Sequence, residues 1–305
     1  MTKHYKVLIL GYGEMGHAME YLLHERHQLD IWDKYPQENF QSVLLEEASS
    51  NADIVLFCLP VNPHQEIAEQ IKPILKPDCL CLSIAKGLNQ DGKTAAQIFE
   101  AVFGNHQTYG LIYGPMISEE ILDGRYAFAQ TACNKQAAFT TVKKLFDHSN
   151  LLIEASDDIT GISWSVILKN VYALAFGMAD ELQLGDNVRG FLTVSATQEL
   201  DKIISHMGGT IGSSYNLAGL GDLVTTGTNK TSHHYELGRK LVKGESQKME
   251  GEGINTLDMV SKYNLINPAD YPLFNLIHHI VKKPEHVKEQ FDAYLKQAYN
   301  SQSSW

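Results

Sequence analysis

Lys6-Val-Leu-Ile-Leu10-Gly11-Tyr-Gly13-Glu14-Met15-Gly16 is the stretch that decides the fold. Lys6–Leu10 is a short apolar run of the kind buried on both faces of a parallel sheet. Three glycines follow in G-x-G-x-x-G spacing. Residues 16–25 then carry a helical pattern, with Met19, Leu22 and Leu23 on one face. In another setting the glycines would mark an ordinary turn, but strand, glycine turn and helix in this order give the spacing its meaning. Gly11 permits the tight turn and Gly13 lets the backbone approach a pyrophosphate. Gly16 lets helix and strand pack closely, and the helix N-terminus, with Glu14 and Met15 in its first turn, faces the anion. Gln28–Trp32 returns as a strand. Asp33 ends it, about twenty residues after Gly13, where a carboxylate accepts hydrogen bonds from an adenosine ribose. Such a carboxylate favours NAD and repels the 2′-phosphate of NADP. The adjacent Lys34 offsets part of that repulsion, so NADP is not excluded. The other reading of Asp33 is a solvated loop residue.

Working outward, β runs recur at 54–59, 80–83, 109–113 and 127–132, with helical segments at 63–74 and 94–103 between them. Strands alternating with helices imply an α/β unit: an N-terminal Rossmann-type, doubly wound, mostly parallel sheet. Past Asp157 strand signals nearly vanish. Residues 158–182, 187–207, 231–242, 255–263 and 285–299 read as helices. Turn chemistry lies at Gly185-Asp186-Asn187, Gly208-Gly209 and Gly219-Leu-Gly221-Asp222. The expected division is therefore 1–154, a dinucleotide-binding domain, and 155–305, an all-α substrate and catalytic domain. The polar end Ser301–Trp305 reads as frayed.

Composition narrows the partners. The 305 residues carry 25 Lys+Arg against 36 Asp+Glu, a net charge of −11. That balance argues against nucleic acid or an anionic membrane and leaves a small-molecule partner. The contiguous apolar runs, Val7–Leu10 and Ile54–Leu59, fall short of the ~20 residues that span a bilayer. No signal-peptide pattern opens the chain. Cys58, Cys79, Cys81 and Cys133 sit in apolar or strand-like settings and read as buried thiols of a reducing, cytoplasmic protein. His24, His27, His278 and His279 lack the Cys or carboxylate pattern that closes a metal site, so no metal is expected. A homodimer through the helical domain is expected because such domains often pair.

Two lysines stand out by context. Lys86, in Ser83-Ile-Ala-Lys86-Gly87, follows a strand whose carboxyl end lines the ligand crevice of a doubly wound sheet. Lys169, in Ile167-Leu-Lys169-Asn170-Val171, interrupts an apolar helix and must snorkel, pair or face a cavity. A lysine held in a partly dry pocket can donate a proton, and Asn170 beside it can orient a substrate or cofactor amide. The alternative is a solvent-facing Lys-Asn pair. Asp222, flanked by Gly221 and Leu223 in the loop Leu217–Thr226, is a carboxylate needing a partner, with Lys169 the obvious candidate. Otherwise it caps backbone amides.

These pieces, in this order, resemble the NAD-dependent glycerol-3-phosphate dehydrogenase family. The resemblance runs from the glycine turn to about Thr256. It takes in Ala52–Pro60, Ser83-x-x-Lys86-Gly87-Leu88, Gly114-Pro115 with Glu120, Asp158-x-x-Gly161 running on to Lys169-Asn170, and Leu184–Asn187 with Glu199. Ala218-Gly-Leu-Gly-Asp-Leu223 is nearly verbatim, and Glu252-Gly253 follows. The resemblance implies hydride transfer between a nicotinamide and dihydroxyacetone phosphate or glycerol 3-phosphate. By it Lys169 protonates or stabilises the carbonyl oxygen, and Lys86 positions substrate. Asp222 and Thr226 complete the polar pocket, into which Gly114 and Asn170 also fall. Pro60 lies beside the nicotinamide and Glu252 contacts the cofactor. Hydride addition builds negative charge on oxygen, and preorganised cations lower that barrier.

The chain also departs from the family. A Ser-Arg-Asn motif, whose arginine holds the substrate phosphate, reads Ser232-His233-His234 here. An imidazole is a weaker, pH-dependent anion contact than a guanidinium fork. A Gly-Gly before the lysine motif is Ser165-Val166, a family arginine is Ser195, and a proline-threonine after Gly124 is Arg125-Tyr126-Ala127. Arg125 and Arg189 are the candidates to replace the guanidinium. Two other readings follow: a related reductase for another small ketone or hydroxy acid, ketopantoate-reductase-like, and a nicotinamide-binding sensor without turnover.

Overall fold

The computed structural model describes residues 3–38, 40–245 and 249–302. They divide into two compact units, Met1–Ser163 and Trp164–Trp305. The last strand ends at Ala155, ahead of that division, and the first turn of the following helix lies with the sheet unit.

The first unit runs β1 (Lys6–Leu10), α1 (Glu14–Leu23), β2 (Gln28–Trp32), α2 (Leu45–Asn51), β3 (Ile54–Phe57), α3 (His64–Ile71), β4 (Leu80–Ser83), α4 (Ala95–Phe103), β5 (Thr108–Tyr113), α5 (Ser118–Leu122), β6 (Ala127–Cys133), α6 (Phe139–Phe146) and β7 (Leu151–Ala155). The sheet order is β2-β1-β3-β4-β5-β6-β7. Neighbours are parallel except β5 and β6, which pair antiparallel, Gly110 opposite Cys133. The chain leaves β1 in one direction for β2 and in the other for β3, which makes the carboxyl ends of β1 and β3 the switch point where such sheets bind ligands. β1, β3 and β4 are buried almost end to end, as strands covered on both faces must be. α1 lays Ala18, Met19 and Leu23 on them.

β7 has no counterpart in the sequence reading. It is an edge strand whose only fully buried residue is Leu151, and its apolar run stops after three residues, Leu151-Leu152-Ile153. Cys79 and Cys81 are buried, whereas Cys58 and Cys133 are partly exposed, which corrects the reading of four buried thiols.

The second unit is helical: α7 (Ile159–Glu181), which begins in the first unit, then α8 (Gly185–His206), α9 (Asp222–Thr228), α10 (His233–Lys243), α11 (Glu252–Tyr263), α12 (Pro272–Lys282) and α13 (Val287–Gln302). Two of these differ from expectation. Leu217–Gly221 is not a loop but a π-helical turn that runs into α9. α12 is not among the expected helices. Pro272 occupies its first turn, where its missing N–H costs nothing. Ser301 and Gln302 continue α13 instead of fraying, and residues 303–305 of that expected tail lie outside the described residues.

α7 is the spine of this unit. Among the described residues it is the one helix long and apolar enough to cross a membrane, yet 89% of that stretch is buried inside the protein. Reading contiguous runs overlooks it because serines, Lys169 and Asn170 interrupt the pattern. α10 crosses it backbone to backbone: a Cβ on Gly177 would lie 1.9 Å from the Tyr235 carbonyl, and one on Gly238 2.1 Å from that of Leu174. Only glycine permits that approach.

Candidate active site

In the sheet unit the glycine turn has the geometry its spacing predicts. Gly11 takes φ +96°, and its N–H donates to the Trp32 carbonyl at 2.8 Å, tying the turn to the end of β2. A Cβ on Gly16 would meet the Gly11 carbonyl oxygen at 2.2 Å, whereas one on Gly13 would meet nothing within 4 Å. The turn is thus closed against α1 and open at Gly13, which is what a pyrophosphate requires. Glu14 and Met15 lie in the first turn of α1. Asp33 is no solvated loop residue: its two carboxylate oxygens accept the N–H of Tyr12 at 2.7 Å and of Tyr35 at 2.8 Å. A carboxylate has about four acceptor positions, so two remain for ribose hydroxyls. Lys34 points to Glu66, 3.4 Å away, with both side chains well exposed. These residues fit a dinucleotide with an unphosphorylated ribose.

The next strand ends supply polar groups. Pro60 follows β3 and its ring is exposed. Lys86 follows β4, and its Nζ donates to the Gly114 carbonyl at the end of β5, at 3.3 Å. Sequence reasoning missed His64, whose spacing with Ile67, Ala68 and Ile71 puts it on the buried face of α3. It is fully buried and touches both loops: Nδ1 bonds the Pro60 carbonyl at 3.0 Å and Nε2 the Ser83 hydroxyl at 2.8 Å.

In the helical unit Lys169 and Asn170 are both buried, at 5% and 2% exposure, so the solvent-facing reading does not hold. The Lys169 ammonium donates to the Asp222 carboxylate at 3.2 Å and to Thr226 Oγ1 at 2.5 Å. The π-turn explains how Asp222 and Thr226 both reach it. They sit one turn apart on α9, four residues being the spacing that shares a helix face, and the π-turn before it packs Gly219 against Ser214. Such insertions are frequent at functional sites. Asn170 Nδ2 donates to Glu252 Oε2 at 2.9 Å, at the start of α11.

The two histidines pack against the start of α11. His233 and His234 form the first turn of α10, with Ser232 as N-cap. His233 Nε2 bonds the Glu250 carbonyl at 2.8 Å, and His234 Nε2 accepts the Gly253 N–H at 3.2 Å. Through these Nε2 atoms the two rings tie α10 to the segment before α11 and to its start. Glu199 also enters late: it accepts the N–H groups of Leu273 and Phe274 and the Tyr172 hydroxyl, at 2.6–3.1 Å. Burial pushes its carboxyl up, against those donors. It serves as the cap of α12.

A profile of the NAD-dependent glycerol-3-phosphate dehydrogenase N-terminus matches residues 34–139, and one of the same family's C-terminus matches residues 158–292. The chain belongs to that family. The glycerol-3-phosphate dehydrogenase [NAD(P)+] of Synechocystis is 26% identical, the match covering 95% of this chain and 94% of the relative. The crystal structure of glycerol-3-phosphate dehydrogenase from Coxiella burnetii has the same fold, with a TM-score of 0.82 at 21% identity over 96% of this chain and 99% of that one. A ketopantoate reductase of Ralstonia eutropha, at 17% identity over 92% of this chain and 100% of that one, reaches only 0.57. As a member of this family the chain is an NAD(P)-dependent oxidoreductase of CH–OH groups.

Proposed function

We propose that this protein interconverts dihydroxyacetone phosphate and glycerol 3-phosphate with NAD(H). The observation that carries the reading is the buried Lys169 ammonium held by Asp222 and Thr226. A bound nicotinamide supplies or accepts the hydride. The protein's task is the proton and the charge. As a C–H bond forms at the substrate carbonyl carbon, the oxygen gains an electron pair, and Lys169 gives it a proton from Nζ. The reverse reaction returns that proton to the amine. Asp222 balances the ammonium in the dry interior and Thr226 fixes its direction, so no solvent has to reorganise at that moment. Lys86, anchored on the Gly114 carbonyl, orients the substrate. In the helical unit Asn170, tied to Glu252, would offer its amide to a substrate or cofactor group, and in the sheet unit Pro60 would lie beside a nicotinamide. Gly13, Gly16 and the first turn of α1 hold the pyrophosphate, and Asp33 holds the ribose. We place the enzyme in the cytoplasm as a homodimer, which light scattering on the purified protein checks.

The test is NADH oxidation with dihydroxyacetone phosphate and with unphosphorylated dihydroxyacetone, for the wild type and Lys169→Ala. Turnover of the phosphorylated ketone alone, abolished in the variant, is the expected result. NADH binding without turnover of either ketone overturns the reading and leaves a sensor or another substrate.

A further inference from the structure

His64 is an anomaly on its own helix. The buried face of α3 otherwise carries Ile67, Ala68 and Ile71, and an apolar side chain would fill the position without the cost of burying an imidazole. The ring has no exposure. It packs against Phe57 and Phe99, with centroids 5.0 and 5.7 Å away. Both of its nitrogens are engaged, and the partners fix the tautomer. A carbonyl only accepts, so Nδ1 carries the proton and donates to Pro60. Nε2 then accepts the Ser83 hydroxyl.

The chain of bonds continues. Ser83 Oγ accepts the Ala85 N–H at 3.1 Å, and the Tyr113 hydroxyl donates to the Ala85 carbonyl at 2.6 Å. Ala85 is therefore pinned through both of its peptide groups, one residue before Lys86. One continuous series of hydrogen bonds, Pro60–His64–Ser83–Ala85–Tyr113, crosses the carboxyl ends of β3, β4 and β5. These are the ends from which Pro60 and Lys86 project. Linked bonds in a dry interior reinforce one another.

We infer that His64 is a positioning residue, whose ring ties the Pro60 loop to the Ser83–Lys86 loop and so sets the spacing between the cofactor contact and the substrate lysine. It touches neither ligand and acts through Pro60 and Lys86. The assignment rests on the proposed dehydrogenase reading for what those two residues do. A sub-ångström loosening at such a position is felt in the rate, because misplacement by about 1 Å can cost about a hundredfold.

The test uses the full-length protein with His64→Leu, Ser83→Ala and the double variant. NADH affinity is read by fluorescence titration, and kcat and KM for dihydroxyacetone phosphate by NADH oxidation, all normalised to the folded fraction from near-ultraviolet circular dichroism. Each single variant should weaken NADH binding and lower kcat/KM by about tenfold. The double variant should be no worse than either single one, because each cuts the same link. Ser83→Ala, the smaller change, carries the test if His64→Leu folds poorly. A lower melting temperature with unchanged NADH affinity and kcat per folded molecule would reduce His64 to packing and overturn the inference. Losses that multiply in the double variant would overturn the link. If the wild type turns over no ketone, the dehydrogenase reading fails, and the NADH-affinity comparison alone still decides for or against the tie.

Discussion

Cutting the Lys169–Asp222 pair separates what stabilises this protein from what makes it an enzyme. The two side chains are 7% and 4% exposed and 3.2 Å apart. Removing one member of such a pair strands an uncompensated charge in the interior, which costs about 3–5 kcal/mol. Lys169→Met leaves the carboxylate and Asp222→Leu leaves the ammonium. Each single variant should therefore lose about that much stability, or roughly 6–20 °C in melting temperature for a unit of this size. The double variant removes both charges and replaces them with apolar groups of similar volume. Buried pairs exchanged this way are often neutral or better. The Thr226 hydroxyl then loses its partner, worth about 1 kcal/mol, so the double variant should lie within about 2 kcal/mol of the wild type. The non-additivity of the cycle is the signature of a coupled buried pair.

Activity should behave oppositely. A positioned proton donor contributes about 10²–10⁴-fold to rate. The double variant, stable and still binding NADH, should therefore be as inactive as Lys169→Met. Urea unfolding followed by circular dichroism gives the stability cycle, and NADH oxidation under saturating dihydroxyacetone phosphate gives the rates. A double variant as unstable as the sum of the singles would refute the coupled pair. A Lys169→Met enzyme within tenfold of wild type would refute the proton donor.

Gly16→Ala places a Cβ 2.2 Å from a backbone oxygen of the same turn, so NADH affinity should fall by more than tenfold; an unchanged dissociation constant would remove this turn from the cofactor site. Asp33→Ser removes the group that repels a 2′-phosphate, and Glu66→Gln releases Lys34 toward it. Both should raise the kcat/KM ratio of NADPH over NADH, Asp33→Ser the more, as initial rates with the two cofactors will show. Burial lowers the His64 pKa from the usual 6.5 to about 4. The unfolded chain therefore binds more protons between those values, and stability, level above pH 6.5, falls as the pH drops toward 4. The gap corresponds to about 3 kcal/mol. Urea titrations at pH 7.5 and 5 should show this slope in the wild type, smaller in His64→Gln, and His27, whose pKa burial also lowers, adds to it in the same direction.

The parts that were legible in the sequence are those written in contiguous residues. Lys6–Gly16 specifies strand, turn and helix by local rules alone, and Asp33 follows at a fixed distance. Lys169 was legible because a charge inside an apolar helix demands a partner, and Asp222 because a carboxylate between Gly221 and Leu223 demands one too. What escaped is written across the chain. β7 is an edge strand that buries only Leu151, and its apolar run is just three residues long. His64 gains meaning only when β4 sets Ser83 opposite it. α12 went unread, and its cap, Glu199, lies seventy-odd residues upstream on α8. The helical start of Leu217–Thr226 was hidden because glycines that read as turn signals serve there for close packing, Gly219 against Ser214. Local propensity failed where tertiary contact had taken over the reason for the residue.

Arg189, a candidate for the substrate's anionic end, can be tested against distance. Its guanidinium bonds Asp180 at 3.3 Å and Asp186 at 3.0 Å. Asp180 lies eleven residues beyond Lys169 on α7, about 16 Å along the axis at 1.5 Å per residue. That exceeds the span of a three-carbon phosphate ester whose carbonyl oxygen meets the Lys169 ammonium. Reaching back would also exchange two carboxylates for one phosphate, a trade with little electrostatic gain at a part-exposed site. Arg189→Ala should therefore leave the KM for dihydroxyacetone phosphate within about twofold, a change of under 0.5 kcal/mol. Ser232 is the candidate tested next: it caps α10, whose first turn meets Gly253 through His234, and a Cβ on Gly253 would lie 2.6 Å from the Asn170 carbonyl. Ser232→Ala should raise the KM for the phosphorylated ketone severalfold and spare the unphosphorylated one. The reverse pattern, a tenfold rise in Arg189→Ala confined to the phosphorylated substrate, would refute the placement of the carbonyl at Lys169.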